Sequence, residues 1–111
     1  MEYDVSSEIF QRLEKIKGSL LLSLKEDLYK LAVEYSYIRG QWKLISVEER
    51  RELENSRRSS HNAFIDACNI LSRNMVKEGY DVSWRTLIGD DRKGLGDFAC
   101  QLACVIALQA R

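Results

Sequence analysis

Three cysteines and one histidine are the residues of this chain best suited to hold a metal. Cys100 and Cys104 stand four residues apart, and His61 and Cys68 seven apart. On helices these spacings place each pair on one face. Two such helices set face to face would offer three thiolates and an imidazole, a set that suits zinc. The same residues suit small buried hydrophobes in an alanine-rich stretch, because free cysteine is among the most buried residue types. No metal and no cofactor is therefore expected, and Cys68, Cys100, Cys104 and His61 stand as the alternative ligand set. A Cys100–Cys104 disulfide is excluded, because side chains one turn apart on a regular helix do not reach disulfide geometry. His61 is the sole histidine. Acid–base work would need a carboxylate beside it. Asp66, five residues on, faces elsewhere on a helix, so His61 reads as a half-buried structural histidine.

The segment from Val47 to Ser60 is dense in charge. Glu49 and Glu52 share a face and resemble the glutamate pairs with which all-helical nucleotide pyrophosphohydrolases hold magnesium. Those enzymes need a second acidic pair on a neighbouring helix, and none stands at matching spacing here. Glu48 and Glu49 have a structural use at a helix start. Arg50 with Arg57, and Arg51 with Arg58, repeat at seven, as a phosphate-binding stripe would. Acids alternate with them: Glu54 lies four residues from both Arg50 and Arg58, close enough to pair. Alternating charge marks a solvated helix face. In Gly89-Asp90-Asp91-Arg92-Lys93-Gly94-Leu95-Gly96-Asp97, three glycines with dense charge suit a polar turn feeding a helix. No preceding strand makes it a phosphate loop or dinucleotide motif. The polar residues expected to share a cleft are Arg57, Arg58, His61, Asp90, Asp91 and Arg92, none with an assigned catalytic role.

The elements that position these residues read as helices. The chain has no proline and six glycines, so glycine does the punctuating. Ile9, Leu13, Ile16, Leu20, Leu24, Leu28, Leu31, Tyr35, Ile38 and Trp42 step by threes and fours, a helical stripe. Asp4, Ser6 or Ser7 can cap its start. The stripe keeps register across Gly18 and argues for one helix to about Leu44. Such a helix spans about 58 Å, against about 34 Å for a compact domain of 111 residues. It must therefore bend or break near Gly18 or Gly40, or project and find a partner. Ser46 with Glu49 forms a capping box that starts a second helix, ending at Gly79. Ser83 begins a short helix stopped by Gly89. Asp90 or Asp91 caps the last helix, which is apolar on nearly every side and belongs at a centre.

The composition is that of one folded domain spanning 1–111, with 45% hydrophobic residues and 31% charged. Seventeen basic residues balance seventeen acidic ones, so no whole-protein field draws in nucleic acid or anionic lipid, though a local basic patch stays open. An odd cysteine count argues against a secreted disulfide framework. The opening Met1-Glu2-Tyr3-Asp4 lacks a signal-peptide layout, and the longest apolar run, Phe98 to Leu108, is too short to cross a bilayer. These features lead us to expect a cytoplasmic location.

His61-Asn62-Ala63-Phe64-Ile65-Asp66-Ala67, with Trp84-Arg85 and the stretch from Gly89 through Cys100, is similar to a group of small bacterial proteins without an assigned activity. The resemblance covers the C-terminal half. It implies a bacterial cytosolic helical protein and assigns no site residues. The expected architecture is all-α: a helical bundle of three long helices plus one short helix, with the C-terminal helix central. The expected role is a non-enzymatic interaction or regulatory module. It is expected to form a homo-oligomer through the first helical segment, and to bind neither membrane nor nucleic acid. The alternatives are a metal-dependent helical enzyme acting on a small phosphorylated substrate and a nucleic-acid-binding regulator.

Overall fold

The computed structural model describes residues 2–109. These form α1 (Glu2–Leu13), α2 (Ser19–Trp42), α3 (Val47–Lys77), α4 (Ser83–Ile88) and α5 (Arg92–Gln109), with no strand among them. The architecture is an all-α bundle. The helix count corrects the expected one, because the first segment is two helices. The chain leaves α1 after Leu13, and Gly18 takes φ 100° before α2 begins. Such a φ is open to glycine and rarely to other residues. The break also rotates the stripe. Leu21 is buried at 2% exposure while Leu20, the residue the threes and fours select, is 58% exposed. Ser6 and Ser7 lie inside α1 rather than at its start, and the Asp4 side chain lies outside the described residues.

The molecule measures 47 × 26 × 24 Å. α2 and α3 form the long antiparallel hairpin. α5 packs along α2 and α1 and also touches α3 and α4, which gives it the central place expected from its composition. Its Leu95, Phe98, Ala99, Leu102 and Val105 are buried. Phe98, Ala99, Leu102 and Val105 meet Phe64, Cys68, Leu71 and Met75 of α3 and Leu28, Ala32 and Tyr35 of α2 in a continuous core. No helix of the described residues is long and apolar enough to cross a membrane.

Helix ends follow the chain chemistry. The Ser46 side chain accepts from the Glu49 backbone N–H, and the Glu49 carboxylate accepts from the Ser46 N–H, completing the capping box. Gly89 ends α4 with φ 80°. Asp91 caps α5, its carboxylate accepting from the Gly94 N–H at 3.0 Å.

A candidate anion-binding cleft

At the end of the bundle near the α2–α3 turn, three helices leave a cleft of about 560 Å³. Its walls are Tyr35, Arg39, Trp42 and Lys43 from α2 and its C-terminal cap, Arg57, Arg58 and His61 from α3, and Arg92 and Lys93 from the first turn of α5. Six of these nine residues are cations and none is a carboxylate.

Local structure explains how the cations converge. The short turn of residues 43–46 folds α3 back along α2, and the two helices pack along their length. Tyr35 thereby stacks on His61, with centroids 4.8 Å apart and planes at 21°. The Arg57 guanidinium sits 5.0 Å from the centre of the Trp42 ring and that of Arg50 5.8 Å. Arg50 Nε also donates to the Trp42 carbonyl at 2.7 Å, satisfying a C-terminal carbonyl of α2. Arg50 is therefore turned towards α2, and Glu54 pairs instead with Arg57 at 2.9 Å and Arg58 at 3.1 Å. On the α5 side, Gly96 permits a close approach. A Cβ there would stand 3.0 Å from the Tyr35 hydroxyl and 3.2 Å from Arg39 Nη1. Arg39 crosses this gap to pair with Asp97 at 2.7 Å. Glu54 and Asp97 thus lie behind the cations they anchor, outside the cleft lining.

His61 is 5% exposed and lies among these positive charges. Arg92 Nη2 stands 3.2 Å from its Nδ1 and donates to Asn62 Oδ1 at 2.9 Å. A guanidinium only donates, so Nδ1 is the acceptor and the neutral ring carries its proton on Nε2. That Nε2 is buried without a hydrogen-bond partner among the described residues. Burial lowers the imidazole pKa from its ordinary value near 6.5, and the charges of Arg92, Arg57 and Arg39 lower it further.

Of the six residues expected to share a cleft, Arg57, Arg58, His61 and Arg92 line this one. Asp90 and Asp91 do not. Asp90 accepts from Arg85 at 2.8 Å, and Asp91 is used in capping. Tyr35, Arg39, Trp42, Lys43 and Lys93 were not singled out by the sequence. The capping box at Ser46 marks the turn that folds α3 back on α2, but the register across it is set by tertiary packing, so no spacing in the sequence selects Arg39 and Lys43. The alternative zinc set is dispersed: Cys68 is buried in the core, Cys100 half-buried near Arg39 and Cys104 exposed. Among the described residues no group of three His, Cys, Asp or Glu side chains is placed to hold a metal ion. No protein-family model, curated protein or solved structure matches the chain.

Proposed function

We propose that this protein is a non-enzymatic interaction or regulatory module whose working surface is the basic cleft, and that it acts by binding an anionic ligand there. The observation that carries this reading is the convergence of six cations from α2, its cap, α3 and α5 on a cleft with no carboxylate in its lining. Like charges brought together raise each other's energy, and an anion relieves that cost while accepting hydrogen bonds from the guanidinium groups. No acidic pair stands in the cleft to hold a catalytic metal, and Glu49 serves the capping box instead. Self-association through α2 belongs to this reading. Its support is that Leu22, Val33 and Tyr37 are exposed and fall within roughly 60° of one another about the helix axis. A cytoplasmic location belongs to it too, supported by three cysteines that all stand as thiols.

Titration with sodium phosphate, followed by amide and indole NMR shifts, tests the binding site. Saturable shifts are expected at Trp42, His61 and Arg92, and none at the distant Leu13–Ser19 connection. Absence of any shift in the cleft up to tens of millimolar phosphate would sink the reading, because charge-assisted contacts from several cations hold a phosphate more tightly than that.

A further inference from the structure

Building on the anion-binding reading, we infer that the ligand of the cleft is a compact small molecule carrying contiguous phosphates with about four negative charges, as in a triphosphate, rather than a single phosphate or a nucleic-acid strand. Three observations lead there. The first is size. A cleft of about 560 Å³ lies within the range of small-molecule sites, roughly 300–1,000 Å³, and is far too roomy for one phosphate. The second is charge. Six cations line the cleft, and the two carboxylates paired with them are Asp97 on Arg39 and Glu54 on Arg57 and Arg58. Four positive charges are left uncompensated, and among the described residues neither Lys43 nor Lys93 has an ion-pair partner. A ligand of matching charge neutralises the site and a monoanion does not.

The third observation is where the remaining charge lies. The chain has seventeen basic and seventeen acidic residues. With six cations gathered at the cleft and Glu54 and Asp97 paired to them, eleven cations remain elsewhere against fifteen acids. The rest of the chain therefore carries a net negative charge. An extended polyanion that runs on beyond the cleft meets a chain whose remaining charge is net negative and gains no further attraction from it. A ligand contained within the cleft meets only the cations.

Calorimetric titration of the full chain at fixed ionic strength tests this with orthophosphate, pyrophosphate, tripolyphosphate, ATP and a twelve-nucleotide single-stranded RNA. Affinity is expected to climb along the phosphate series, with tripolyphosphate bound about a hundredfold or more tighter than orthophosphate, since each added charge meets another cation. ATP matching tripolyphosphate means that the phosphates alone are read; ATP binding more tightly means that the Tyr35 and Trp42 wall takes the base as well. Both outcomes agree with the inference. Replacing the exposed Arg58 and Lys93 by alanine leaves the core untouched, and should weaken tripolyphosphate about tenfold or more while changing orthophosphate less. Equal affinities for orthophosphate and tripolyphosphate, or RNA bound more tightly than tripolyphosphate, overturn the inference but leave the anion site standing. Failure of every probe, orthophosphate included, removes the site itself.

Discussion

At the scale of single residues, His61 joins the core to the cleft. It is buried, stacked on Tyr35 and surrounded by guanidinium groups, and its pKa is lowered by burial first and by those charges second. Well above pH 6.5 the ring is neutral in the folded and unfolded chains alike and contributes no pH dependence. Below that value the unfolded chain takes up a proton that the folded chain refuses, so stability falls until the lower folded pKa is passed. Urea unfolding at pH 7.5 and at pH 5.5 should show this loss, and His61→Gln should remove the part of it due to the imidazole. With tripolyphosphate bound, the imidazolium gains an anionic neighbour and the loss should shrink. An unchanged pH dependence in His61→Gln would mean that the ring is not held neutral. His61 itself was legible in the sequence as a histidine on the Phe64–Cys68 face. Its surroundings were not, because three of its neighbours come from α2 and α5, and sequence spacing registers only neighbours on the same helix.

At the scale of elements, the capping box at Ser46, the glycine stop at Gly89 and the apolar α5 were readable from short-range chemistry, and the structure has all three. The break at Gly18 was not. Ile16 and Leu20 keep a spacing of four, and a stripe that remains in step across a glycine reads as unbroken. The deciding fact is tertiary: α1 packs on α5, which a straight continuation of α2 would forbid. Gly18→Ala should therefore destabilise the protein by about 1–2 kcal/mol, since the new side chain must adopt a left-handed backbone or shift the connection. A stabilising change would mean that the two helices join in solution. Leu102→Ala, at a fully buried position on α5, should cost about 2–5 kcal/mol by chemical denaturation. A loss under about 1 kcal/mol would deny α5 its central place.

At the scale of the whole molecule, the break at Gly18 leaves α2 at 24 residues, about 36 Å, inside a body 47 Å long, so length alone does not force this helix to find a partner. What remains for an interface is the exposed face of Leu22, Val33 and Tyr37. Sedimentation equilibrium at tens of micromolar should find a dimer that Val33→Glu dissociates without unfolding. A monomer, or a dimer indifferent to that change, removes α2 as the contact. Composition alone could not reveal the cleft, because a balanced count of charges says nothing of how the fold distributes them.

That uneven distribution has a consequence for the unliganded protein in salt solution. Six cations crowd one end of the bundle, and their repulsion acts against the packing of α2, α3 and α5 that brings them together. Dissolved ions shorten the reach of that repulsion, from about 10 Å at 0.1 M to about 3 Å at 1 M. They also weaken the exposed ion pairs, such as Arg12–Glu8, but these contribute little to begin with. The melting temperature of the ligand-free protein should therefore rise with sodium chloride, and rise less once Arg58 and Lys93 are alanine. A chain with no net charge would then respond to salt as a highly charged one does, because its folding gathers like charges into one place.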